Sequence, residues 1–394
     1  MARRGPVLEE SVFAETPDQE LMERSTSRFL DSHFPVSRIR GLADQDDTFE
    51  PSRWREGAAL GWTTLLVPEA AGGGSVSGNG VADLLIVSRL FGHHAAPGPL
   101  LGTNVVAAAL GRWGSAEQHA GPLAALISGE AVAAWGHTST VVSPPRSRSE
   151  VLATTTGDGV VLSGRVPMVE GASVASHVLI SAGGAGGADR HSQYLVPLAA
   201  PGVELSRLNS VDLTRRYDDL VLRDVALSVD AIVGVPGSAD EHDDELLDLA
   251  ATILLGEMVG AMARAFAITL EWTVDRYSFG RPLGSYQAIK HRMADIRTQL
   301  EASEAVAARA AGALGRDDAD ARSWVAAGMA YVARCGPELV QECVQLHGGI
   351  GVTYEHDLHL FLRRVVIDAA LFGSPDDFER RLGALVVASE GIAL

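Results

Sequence analysis

From Leu246 to about Tyr277 the chain is apolar nearly all the way round a helical period, and within 246–270 its only charges are Asp248, Glu257 and Arg264. A helix without a polar face must be covered on several sides, so this one is expected at the centre of a helical assembly. Two more long helical patterns follow. Gln287 to about Leu314 is amphipathic, and Arg322 to His347 contains Pro337, which predicts a kink. Ser374-Pro375-Asp376-Asp377 predicts the start of a last helix, with a cap, proline at the first position and early acids against the helix dipole. Long helices joined by short connections make a bundle.

Ahead of the bundle the period changes. Over 1–130 the pattern is mostly helical: Asp18 is placed to cap a helix carrying Leu21, Met22, Phe29 and Leu30, and Trp54–Gly61, Val81–Phe91, Val105–Leu110 and Gly121–Ile127 follow. Pro68, the glycines 72–74, Pro97 and Pro99 interrupt it. Over 131–240 the runs are short and β-rich, at Val151–Thr156, Gly159–Ser163, His177–Ser181, Gln193–Pro197 and Leu220–Val225. The glycine cluster at 183–187 does not follow a strand and open a helix, which argues against a dinucleotide fold. The expected fold is α+β: an N-terminal helical domain (1–130), a small middle β-sandwich or barrel domain (131–240) and a C-terminal four-helix bundle (241–394).

The formal charge of −18 argues against nucleic acid or an anionic membrane surface as partner. Basic residues are almost all arginine, Lys290 being the only lysine. Cys335 and Cys343 make neither a disulfide framework nor a metal site, and the expected metal content is none. The basic start at Arg3 and Arg4 runs into Glu9 and Glu10 rather than an apolar stretch, so no signal peptide is expected, and the expected location is the cytoplasm.

Chemistry concentrates in two stretches. In the first, Gln345-Leu-His-Gly348-Gly349-Ile-Gly351 breaks a helical pattern at a glycine turn, and Glu355 stands just beyond it. Glycines let backbone amides approach a bulky ligand. A carboxylate held there between two apolar helices is placed for partial desolvation and work as a base; the alternative is a solvated loop glutamate. His356, Asp357 and His359 beside it read as groups at a helix start, with no third ligand at metal spacing. The second stretch, Asp275-Arg276-Tyr-Ser-Phe279-Gly280 with Gln287 seven residues on, joins the first two bundle helices. Taken alone, Arg276 reads as a surface ion pair with Asp275 or Glu271.

Together these stretches, in this order and on this α–β–α plan, resemble the acyl-CoA dehydrogenase family across nearly the whole chain. Arg-x-x-Phe-Gly at 276–280, Gln287 and Gln-x-x-Gly-Gly-x-Gly at 345–351 all stand as that family has them, and Leu-Gly-Trp62, Val-Pro-Glu69 and Gly72–Gly74 match a weaker signature. The resemblance implies an oxidoreductase that uses FAD. Arg276, Phe279 and Gln287 would hold the nucleotide of an FAD bound mainly to a neighbouring subunit, and Gln345, Gly348 and Gly349 would close over it. Ser374 would lie near the flavin, and Glu355 would be the base that takes the Cα proton of an acyl-CoA while hydride leaves Cβ for the flavin. Electron-transfer flavoprotein is the implied acceptor, and a homodimer, a tetramer or a pair with a paralogous subunit the implied assembly.

Three departures bear on that expectation. The family's first flavin motif is missing at Ala134–Thr140, where Trp135, Thr138 and Ser139 stand in part in its place. Its flavin-packing Trp-x-Thr/Ser strand is replaced by Val166–Gly171. Its substrate arginine falls on Ala251, and the alternative base position on Ala250. Three readings follow: a self-sufficient homo-oligomeric dehydrogenase, one half of an unlike pair that needs its partner for FAD and turnover, and a flavin oxygenase or inactive binding protein on the same fold.

Overall fold

The computed structural model describes residues 16–43, 49–137, 151–157, 159–184 and 190–390. The basic start, Thr138, Ser139, and Gly186 and Gly187 of the glycine cluster lie outside the described residues.

Helices α1 (Pro17–His33), α2 (Val36–Ala43), α3 (Pro51–Ala58), α4 (Gly80–His94) and α5 (Leu100–Trp113) come first, followed by the short α6 (Ala116–Gln118) and α7 (Ala124–Ile127). Thr16, not Asp18, caps α1. The Thr16 hydroxyl accepts from the Gln19 N–H at 3.2 Å and the Gln19 side chain accepts from the Thr16 N–H at 3.2 Å, a reciprocal box that leaves Asp18 as an acid of the first turn.

Strands β1 (Ala133–Gly136), β2 (Leu152–Thr156), β3 (Gly159–Glu170), β4 (His177–Gly184), β5 (His191–Pro197), β6 (Val203–Leu208), β7 (Tyr217–Ser228) and β8 (Ile232–Val233) form one eight-stranded sheet. Its path runs β6-β7-β3-β2-β4-β5-β8, and β1 pairs parallel with β4 beside it. Inward side chains such as Leu162, Val166, Ile180, Val196 and Leu220 give the sheet its own apolar core. β3 and β7 run well past the sequence-predicted stretches because they pair along their length, with irregularities between Leu162 and Gly164 and between Val166 and Val169.

The bundle is α8 (Ala239–Asp275), α9 (Gln287–Gly315), α10 (Ala321–His347), α11 (Leu358–Asp368) and α12 (Pro375–Glu390), with a hairpin of β9 (Tyr277–Ser278) and β10 (Arg281–Pro282) between α8 and α9. α8 is the central helix. It is long and apolar enough to cross a membrane, yet its most apolar window is 89% buried inside the protein. Against it lies α4, at backbone contact: a Cβ on Gly260 would stand 1.8 Å from the Arg89 carbonyl oxygen, and one on Gly92 1.9 Å from that of Glu257. Only glycine fits such a crossing. The helices before and after the sheet share one core, running through Leu84, Val105, Leu254, Met258, Leu300, Val332 and Phe361.

Candidate functional site

Six of the sequence-predicted residues lie at the hairpin after α8 and at the turn that ends α10, two stretches linked through Trp272 and His347. At the tip of the β9–β10 hairpin Phe279 and Gly280 have φ of 49° and 80°, the left-handed pair that a two-residue turn between antiparallel strands requires. Glycine takes this conformation freely; a phenylalanine there is held under strain, and this one is 97% exposed. The Tyr286 hydroxyl donates to the Ser278 carbonyl at 2.8 Å and Arg281 lies 3.8 Å over the Tyr286 ring, which fixes the hairpin to the start of α9, where Gln287 is exposed.

α10 stops at His347 because Gly348 turns to φ 63°, ψ −141°. A Cβ added at Gly348 or Gly349 would meet nothing within 4 Å, so the backbone of this turn is bare, whereas Gly351 is packed, its added Cβ falling 2.4 Å from the Val344 carbonyl oxygen. The turn and the hairpin are linked by rings. Trp272 stacks on His347 at 5.1 Å and 19°, and the Arg276 guanidinium lies 5.6 Å from the Trp272 ring. Among the described residues Arg276 has no carboxylate partner, neither Asp275 nor Glu271, and the side-chain amides of Gln287 and Gln345 have no hydrogen-bond partner. A free guanidinium, two free amides and an open glycine backbone at one end of the bundle are a donor set suited to phosphates and a nucleotide.

Glu355 follows this turn but is exposed, with no side-chain hydrogen bond or ion pair among the described residues. The partial desolvation expected of it is not supplied by this chain alone; a second surface would have to cover it. Its neighbours are structural. Asp357 pairs with Arg40 of α2, the His356 Nδ1 accepts from the Leu358 N–H at 3.3 Å, and Tyr354 stacks on His359 at 4.6 Å.

Ser374 lies beyond the next helix. The 11 residues of α11 separate it from Glu355, about 16 Å of helix. Its hydroxyl accepts from the Asp377 N–H at 3.3 Å, and its own N–H donates to the Asp377 carboxylate at 2.9 Å, so it is the expected cap of α12. Beside it Phe372 packs on Trp135 at 5.2 Å and on His137 at 5.8 Å, and burial holds His137 at about 4 and therefore neutral. Ala250 and Ala251 face the core, fully buried. In the Val166–Gly171 segment Met168 turns to φ 56° and is exposed.

A second group of polar residues emerges only in three dimensions. Arg364 of α11 is fully buried. Its Nε donates to Asp212 at 2.6 Å and its Nη2 to the Ala96 carbonyl at 3.1 Å and the Thr214 hydroxyl at 2.5 Å, with Glu257 of α8 at 3.4 Å. Arg215 pairs with the same Glu257, with Asp368 at 2.8 Å and with Glu170 at 3.4 Å. Four carboxylates thus surround two guanidiniums at the junction of helices and sheet. Burial pushes Asp212 up, but Arg364 and Arg215 pull it below the usual carboxylate range. Burial pushes Glu170 up and Asp368 to about 6 against the pull of the same two arginines. Glu170 and Arg215 also line a cavity of about 350 Å³ with Phe49, Pro99 and Leu205. Charges at Glu257, Arg364 and Asp368 inside otherwise apolar helical patterns were the available signal, since such groups need buried partners.

Comparison with known proteins places these features in a family. Residues 16–130 match the model of the acyl-CoA dehydrogenase N-terminal domain, and 244–382 that of the acyl-CoA dehydrogenase C-terminal domain. The acyl-CoA dehydrogenase IpdE2 of Mycobacterium tuberculosis is 30% identical over 93% of this chain and 97% of its own length. In the solved ChsE4–ChsE5 complex from M. tuberculosis a chain superposes with a TM-score of 0.84 and 25% identity, over 95% of this chain and 98% of that one. A glutaryl-CoA dehydrogenase of Mycobacterium smegmatis, solved with FADH2, shares the fold with a TM-score of 0.82 at 19% identity, over 96% of each chain.

Proposed function

Since the chain belongs to the acyl-CoA dehydrogenase family, we propose that it is one subunit of an FAD-dependent enzyme that dehydrogenates an acyl thioester between Cα and Cβ, its flavin site completed by a second subunit. One observation carries the reading. Among the described residues the side chains of Arg276, Gln287 and Gln345 are exposed and without hydrogen-bond or ion-pair partners, beside the bare Gly348–Gly349 turn and the exposed ring of Phe279. Strained, bare and apolar groups on one face are what an interface would cover.

When bound, FAD supplies the acceptor for the hydride that leaves Cβ. This chain's part is to hold and to move a proton. Arg276, Gln287, Gln345 and the Gly348–Gly349 backbone would hold the nucleotide, Arg276 by its charge toward phosphate oxygens, and Phe279 would be covered by the adjoining subunit. Glu355, once covered and dried by that subunit, takes the Cα proton on a carboxylate oxygen. Ser374, a helix length away, belongs to the other end of the shared arrangement. Turnover takes place in the cytoplasm, with electron-transfer flavoprotein as the acceptor of the electrons.

A second reading is that a paralogous partner carries the base and this chain only clamps the nucleotide. Glu355 is exposed and unpaired, Ala250 and Ala251 offer no substitute, and Glu170, on the segment expected to pack on the flavin, is tied to Arg215. The relative in the ChsE4–ChsE5 complex makes an unlike pair a natural form for such a chain.

Arg276→Ala tests the shared proposal. In whichever assembly holds flavin, FAD content should fall at least tenfold, the scale of a lost charge-assisted pair, with no change in the protein's helical signal. Full flavin in a well-folded Arg276→Ala protein would remove the nucleotide assignment.

A further inference from the structure

The two stretches that make the nucleotide face are far apart in sequence, and what sets them against each other is a column of rings. Trp272, one turn before Arg276 on α8, stacks on His347, the last residue of α10. His356, from beyond the glycine turn, meets the same His347 ring at 4.5 Å and 62°. His347 is 4% exposed, and its Nδ1–H donates to the Cys343 carbonyl at 2.8 Å. That bond puts the proton on Nδ1 and leaves Nε2 buried with no partner. Its neighbours Trp272 and His356 meet it through ring contacts. Burial lowers the pKa of His347 and of His356, so both rings are neutral near pH 7 and add no charge beside Arg276.

We infer that His347 is a positioning residue: by stacking on Trp272 it holds the Arg276 guanidinium and the bare Gly348–Gly349 backbone in register for the phosphates of one nucleotide. The inference rests on the reading of this face as the nucleotide clamp. It requires a flat ring at 347 and makes no use of the ring's nitrogens toward the ligand.

The test titrates FAD into the flavin-depleted assembly, read by quenching of flavin fluorescence, with thermal midpoints of the flavin-free proteins measured alongside. His347→Ala should weaken FAD binding by roughly three- to tenfold, the worth of one aromatic stack, and His347→Phe should restore it although the bond to Cys343 is gone. A role in folding alone would move the midpoint and leave affinity unchanged. Wild-type affinity in His347→Ala while Arg276→Ala has lost FAD would overturn the inference, as would a His347→Phe protein that binds no better than His347→Ala. Normal FAD binding by Arg276→Ala would instead bring down the nucleotide reading, and the inference with it. Should His347→Ala fail to fold, Trp272→Leu against Trp272→Phe poses the same contrast from the other side of the stack.

Discussion

Arg364→Leu is expected to cost about 3–5 kcal/mol of stability, the range for breaking a buried ion pair from one side. Arg364 has no exposed surface and serves Asp212, Glu257, Thr214 and the Ala96 carbonyl at once. Leucine keeps much of the bulk but leaves the Asp212 carboxylate, held ionised by Arg364 and Arg215, without its nearest cation. The loss also falls where four parts of the chain meet: the α4–α5 loop, the loop before β7, α8 and α11. An exposed cluster is the control. Arg334, which reaches Asp376 and Glu379 at 2.7 Å each from an exposed position, should cost under about 1 kcal/mol as Arg334→Leu. Urea-unfolding midpoints of the two variants measure the contrast. A loss below 1 kcal/mol for Arg364→Leu would show that the network is not a structural tie.

The second large effect is expected of Glu355→Gln. Glutamine keeps the shape and removes the proton affinity, so FAD and acyl-CoA should still bind to the assembled protein. Anaerobic bleaching of the flavin by acyl-CoA should then slow by at least the ~10²–10⁴-fold of a general base, because the alternative base position on α8 is the apolar, buried Ala250. A solvated turn carboxylate would instead lose about 1 kcal/mol of stability or less and leave bleaching intact. Near-normal bleaching in the flavin-holding assembly would put the base on the second subunit and make this chain the clamp.

Most of the architecture was legible because it is written in periodicity. The helix around Leu254 is apolar on all sides, α9 and α10 start and stop close to their sequence signals, and α12 starts at its own. β1 was not legible: Ala-Ala-Trp-Gly is buried at every position, so it has no alternation to read. β6 was missed for the opposite reason, being a largely solvent-facing edge strand whose apolar signal is weak. The cap of α1 was misplaced by two residues because Asp18 and Thr16 both have the right chemistry, and only the Gln19 reciprocal bond decides between them. At the site the motif residues were legible and their exposure was not. Nothing in the string shows that Glu355 faces water, since that depends on how the turn leaves α10. The Arg215–Arg364 network was legible only as isolated charges in apolar helices; its members come from β3, the loop before β7, α8 and α11, and no local pattern joins them.

The central claim is that the flavin site of this chain is shared with a second subunit. The measurement that bears on it most directly is the flavin absorbance of the chain purified alone, set beside that of the same chain co-expressed with a paralogous subunit, each at known protein concentration. The account predicts that a monomeric fraction is colourless, its Arg276, Gln345 and Gly348–Gly349 face open to water, and that flavin appears only in a fraction containing two or more subunits, together with bleaching by acyl-CoA. A monomer that holds FAD one to one and bleaches with acyl-CoA would contradict it.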